Sequence, residues 1–109
     1  MTPTLNTLLT ELEQRGEDND ARVSERRRKY LNITRDTGEF LAVLVKAIRA
    51  ERILEIGTSN GYSTLWLASS LKDGGRVVTL ELDGDKVREA KKNFERAGLA
   101  DRIEQIEGD

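Results

Sequence analysis

The chain contains no cysteine and no histidine. Without cysteine there is no disulfide framework, thiolate metal site or cysteine nucleophile. Without histidine, the usual general base near neutral pH and the commonest metal ligand are missing. Aromatic residues make up only 5% of the chain, which argues against reading nucleic acid by base stacking. Lys and Arg number 18 against 20 Asp and Glu, a net charge of −2, so no overall field draws the protein to nucleic acid or anionic lipid. No apolar run reaches the 18 residues of a membrane span, and the first residues lack a basic-then-apolar leader pattern. The expectation is a soluble cytoplasmic protein with no membrane or nucleic-acid partner.

What is present is one domain's worth of sequence. A chain of 109 residues supports one core and buries roughly 60–70% of the surface exposed when unfolded. Thr2-Pro3 reads as a helix start, a capping residue followed by proline at the first helical position. Leu5, Leu8, Leu9 and Leu12 recur at helical spacing, and Gly16 is the expected stop. A second helix is predicted from about Asn19 to Leu31, and 32–35 as a loop. Asp36 and Glu39 have capping-box spacing ahead of the apolar face Leu41, Leu44, Val45 and Ile48.

From Arg52 the pattern changes to strands alternating with helices. Strands are predicted at about 52–56, 76–82 and 102–106, with helices at about 61–71 and from Asp83 to Gly98. Alternation of this kind implies an α/β parallel sheet, in the order 3-2-1 if each strand lies beside its predecessor. Arg26 to Lys29 is a run of four basic residues. It suits either a phosphate-binding patch or a solvated helix face offset by Glu17, Asp18, Asp20 and Glu25.

The most informative stretch is residues 52–63, an apolar strand ending in an acid, a turn spaced by Gly57 and Gly61, and a helix start at Tyr62 and Ser63. Strand, glycine turn and helix make a nucleotide-binding corner. A dinucleotide site calls for G-x-G-x-x-G, but Ser59 stands at the middle position. Glu55, two residues before the first glycine, would repel a pyrophosphate and attract an amine or hydroxyls. Glu81 lies 24 residues beyond Gly57, near the spacing at which an acid meets a ribose diol. E-x-G-x-x-x-G with a second acid suits S-adenosylmethionine, a nucleoside with an ammonium, a sulfonium and no phosphate. Glu55 also fits a strand-end cap, and Glu81 a solvated acid before a helix. Tyr62 and Trp66, four apart on a helix, also fit plain core packing, and Ser63 a plain helix cap.

Residues 55–63, followed by Leu80-Glu81-Leu82-Asp83, resemble the class I S-adenosylmethionine-dependent methyltransferases. The Gly-Tyr-Ser after the loop and Asp36 to Leu41 upstream are similar to the cation-dependent O-methyltransferases of the caffeoyl-CoA and catechol type. The resemblance covers about residues 30–109. It implies a Rossmann-like sheet apparently truncated after strand three, with residues 1–35 as an N-terminal helical segment and 36–109 as the cofactor-binding half of the domain. It implies methyl transfer to a small-molecule hydroxyl. In the full-length family a divalent cation assists, and its ligands lie beyond this chain.

The resemblance also assigns residues. Glu55 holds the methionine part through its network, with Gly57, Thr58 and Gly61 offering backbone. Ser63 reaches the methionine carboxylate, and Tyr62 lines the methionine side. Glu81 takes both ribose hydroxyls, with Leu80 and Leu82 flanking the adenine. Ile33 and Thr34 cover the methionine end, and Gly108 and Asp109 begin the loop at the adenine edge. No catalytic residue and no metal ligand is assigned.

Other readings remain at this point. One is a nicotinamide-dependent oxidoreductase fragment, which the missing middle glycine opposes. Another is a non-catalytic cofactor-binding or interaction module, which the lack of His and Cys suits. The free edge of strand one predicts a homodimer or other strand-edge association, or a fragment of a longer protein.

Overall fold

The structure is a computed structural model describing residues 2–108, without the side chain of Arg27. α1 (Pro3–Arg22) is followed by a 3₁₀ turn at Arg26–Arg28 and by α2 (Arg35–Ala47). Then come β1 (Arg52–Ile56), α3 (Tyr62–Ser69), β2 (Arg76–Glu81), α4 (Gly84–Ala97), a second 3₁₀ turn and β3 (Ile103–Glu107). The strands form one parallel sheet in the order β1-β2-β3, as the alternation predicts. Ile53 pairs with Val77 and Glu55 with Thr79 across β1 and β2. Val77 then pairs with Ile103, and Thr79 with Gln105.

Alternation along each strand decides which face is covered. Ile53, Val77 and Ile103 share one face and pack among Leu67, Ala68 and Leu71 of the α3 region. Above that layer, the four leucines of α1 join Tyr62, Leu65, Trp66, Ala90 and Phe94 in a second cluster. The leucine stripe legible at the N-terminus therefore closes the core over α3 and α4. On the opposite face Leu54 is 64% and Ile56 81% exposed. Phe40 and Val43 on α2, and Ile48 just past its end, are exposed apolar side chains.

Three local expectations are corrected. Gly16 does not stop the first helix, which runs on to Arg22. Its missing side chain instead admits Asn32, whose Nδ2 lies 2.7 Å from where a Cβ would stand. The predicted helix from Asn19 to Leu31 does not form. Asp20 accepts hydrogen bonds from the Tyr30 and Leu31 amides at 2.8 and 2.9 Å, and Asn19 donates to the Arg28 carbonyl. These bonds hold the segment as a strap doubled back along α1, and few apolar side chains favour a helix there. Finally, α2 is capped by the Thr34 hydroxyl, which accepts from the Thr37 amide, in place of a capping box at Asp36. Elsewhere the ends agree closely: Asp83 caps α4, and Gly98 (φ 71°) ends it with Leu99 bonded back to Phe94.

Burial opposes ionisation of Asp20, but the Tyr30 and Leu31 amides, the Asn19 side chain and the Lys29 charge outweigh it. Its carboxyl is therefore held below the ordinary value. A depressed carboxyl stabilises the fold above the unfolded value and loses that contribution as pH falls through the folded one. On acid titration followed by NMR, the Tyr30 and Leu31 amide resonances are expected to move together with a midpoint below about 3.9. A midpoint at or above that value would contradict the clamp.

Candidate functional site

The turn between β1 and α3 takes its shape from backbone sterics first. Gly57 (φ 93°) has open space where a side chain would project. Gly61 (φ 90°) is needed for a second reason: a Cβ there would stand 2.5 Å from Phe94. Its bare backbone therefore serves packing against α4. Asn60 braces the turn by accepting from the Tyr62 amide, while its carbonyl accepts from Asn93 at 2.8 Å.

The two acids have different surroundings. Glu55 is enclosed by hydroxyls: Ser63 donates to Oε2 at 2.6 Å, while Thr79 donates to Oε1 at 2.8 Å and Thr64 to the same oxygen. Thr58 lies 2.6 Å from the Thr79 hydroxyl. Since Thr79 commits its proton to Glu55, Thr58 is the donor in that pair. The strand-one acid thus ties the first turn of α3 to β2.

Glu81 is held from its other side. Its Oε1 accepts from the Ser59 amide at 2.7 Å and its Oε2 from the Asp83 amide at 3.1 Å. Two amides fix the carboxylate and leave acceptor capacity on both oxygens. It lines two clefts, each about 500 Å³. One is shared with Leu82, Asp83, Asp85 and Arg28, the other with Gly57, Ser59, Tyr30, Leu31 and Lys29. Lys86 lines both.

Gly57, Glu81 and Leu82 therefore meet at open clefts, whereas Glu55, Thr58, Gly61, Tyr62, Ser63 and Thr34 line neither. Thr58 is buried and Ser63 is engaged by Glu55. Tyr62 is a core residue, edge-on to Trp66 at 6.4 Å, with its hydroxyl donating to Glu13 at 2.7 Å. Burial, followed by that carboxylate, pushes its phenol well above the ordinary value. Thr34 stands at the start of α2, and Gly108 donates to the Glu81 carbonyl. Asp109 lies outside the described residues. Sequence reading missed Ser59, Thr64, Thr79, Tyr30 and Lys86. Register was the available signal for Thr79, which is the direct cross-strand partner of Glu55.

A fixed carboxylate, an open glycine turn and an adjacent apolar side chain thus gather at the carboxyl end of a parallel sheet, the end at which α/β folds receive their ligands. The family model for O-methyltransferases matches residues 7–109, and the chain belongs to that family. It is 47% identical over 76 residues to a catechol O-methyltransferase of Mycobacterium tuberculosis, covering 70% of this chain and 34% of that protein. It is 38% identical over 73 residues to caffeoyl-CoA O-methyltransferase 2 of Petunia hybrida, covering 67% of this chain and 30% of that one. The O-methyltransferase of Bacillus cereus, solved in complex with SAH, superposes with a TM-score of 0.78 at 41% identity over 94% of this chain and 43% of its own. The chain thus spans about a third of the length of these curated relatives.

The hydroxyl cage makes a stability prediction. Glu55→Ala strands the Thr64 and Thr79 hydroxyls without an acceptor, at a cost of about 2–3 kcal/mol. Urea unfolding is expected to show a lowered midpoint at unchanged slope. A loss under about 0.5 kcal/mol would argue against the cage.

Proposed function

We propose that the chain is the S-adenosylmethionine-binding portion of an O-methyltransferase acting on a small-molecule hydroxyl. The supporting observation is the Glu81 carboxylate, pinned by the Ser59 and Asp83 amides beside open clefts. A carboxylate with free lone pairs suits a ribose diol, and neighbouring Leu82 offers an apolar surface to a purine. Gly57 lets the ligand approach backbone. Glu55, Thr58 and Ser63 then act behind the ligand by keeping the turn in one shape. The bound cofactor supplies a methyl group made electrophilic by its sulfonium. Names of related proteins, catechol and caffeoyl-CoA O-methyltransferases, support a hydroxyl acceptor.

Among the described residues no helix is long and apolar enough to cross a membrane. The proposal keeps the cytoplasm as location and residues 1–35 and 36–109 as the two segments of the domain. It also includes association through the sheet. The outer edge of β1 has no strand partner among the described residues, and Leu54 and Ile56 are bare beside it. In sedimentation velocity the 109-residue chain is expected to associate as concentration rises. A monomer at every concentration would contradict this.

Calorimetric titration with S-adenosylhomocysteine tests the cofactor reading. Glu81→Ala is expected to weaken binding by about 1–3 kcal/mol through loss of the hydroxyl acceptor. NAD should not bind. Equal affinity of wild type and variant would overturn the assignment.

A further inference from the structure

Ser59 occupies the position where a dinucleotide motif would carry its middle glycine, and it adopts φ 52°. That conformation is costly for a residue with a Cβ and easy for glycine. A strained residue held at a cleft invites the question of what its side chain does there. Its hydroxyl donates to the Tyr30 carbonyl at 2.9 Å, while its own amide donates to Glu81 at 2.7 Å. The next residue on the strap, Leu31, is also left-handed at φ 51°. Two of the three left-handed non-glycine residues among the described residues thus flank one hydrogen bond and line one cleft.

We propose that Ser59 is a positioning residue: through its two hydrogen bonds it latches the strap Arg26–Leu31 as the second wall of the ribose cleft, opposite Glu81. The inference rests on the cofactor reading above. The strap has further ties. Asp20 takes the Tyr30 and Leu31 amides, Lys86 donates to the Lys29 carbonyl at 2.8 Å, and the Tyr30 hydroxyl donates to Glu89 at 2.7 Å. Of these ties only the Ser59 bond runs to the glycine turn. Its hydroxyl connects wall and turn, and its amide connects turn and carboxylate, so one residue bonds to both sides of the cleft.

The substitution Ser59→Gly isolates the latch. Glycine accepts the backbone angle and keeps the amide bond to Glu81, and only the hydroxyl is lost. Amide hydrogen exchange at residues 29–32 of the unliganded chain is expected to accelerate about tenfold, with the melting temperature unchanged or raised. Affinity for S-adenosylhomocysteine is expected to fall about fivefold, through faster dissociation. Ser59→Asn is the rescue: asparagine tolerates the left-handed region and carries an amide donor, so it should recover part of both effects. A general loss of structure would lower the melting temperature and would not be rescued in this order. Wild-type strap exchange and wild-type affinity in Ser59→Gly would overturn the latch. Wild-type protein that fails to bind S-adenosylhomocysteine would sink the cofactor reading instead, while the exchange rates still decide whether the latch exists.

Discussion

One half-buried acceptor organises this molecule. Glu55 ends β1 on the helix-covered face of the sheet and receives hydroxyl protons from β2 and from the first turn of α3. Each of these hydroxyls would be costly to bury without a partner, and the acid would be costly without them. The mutual need fixes the angle at which α3 leaves the sheet. That angle sets the glycine turn, and the turn presents the Ser59 amide to Glu81. The cleft is thus shaped from behind, by a carboxylate that does not line it.

This division between the acids is where the sequence was most and least informative. E-x-G-x-x-x-G followed by an acid at the next strand tip led to the right kind of fold. It assigned both carboxylates to one ligand, because strand ends and spacing place residues along the chain but not the hydroxyls that compete for them. Thr64 and Thr79 are unremarkable as letters. They matter only once the register sets Thr79 beside Glu55 and helix geometry swings Thr64 to the same oxygen. Tyr62 carries the same lesson: its ring and hydroxyl both have partners inside the protein, supplied by α1 and α3.

The strands were legible because apolar runs bounded by charges and glycines have few alternatives, and all three fall within a residue or so of expectation. The strap was not. Its composition is charged enough for a solvated helix, yet Asn19 and Asp20 at the end of α1 offer the backbone of residues 28–31 partners that a helix would deny them. Gly16 looked like punctuation and is a contact, since helical glycines can serve close approach as well as termination. Long-range pairings of this sort leave no periodic signal.

The proposed reading separates binding from chemistry in this chain. Methyl transfer to a hydroxyl requires that the acceptor lose a proton. Tyr62 is a poor base, held by burial and by Glu13 above its ordinary value. The Tyr30 phenol is pushed up to about 12 by burial and by its bond to Glu89. Glu55 is engaged by three hydroxyls, and Glu81 by two amides. These groups are therefore committed to holding shape, and Glu81, which keeps acceptor capacity beside the clefts, is the carboxylate that the proposed reading gives to a ribose. Under the proposed reading such a corner would orient a nucleoside and would leave proton removal to groups other than these.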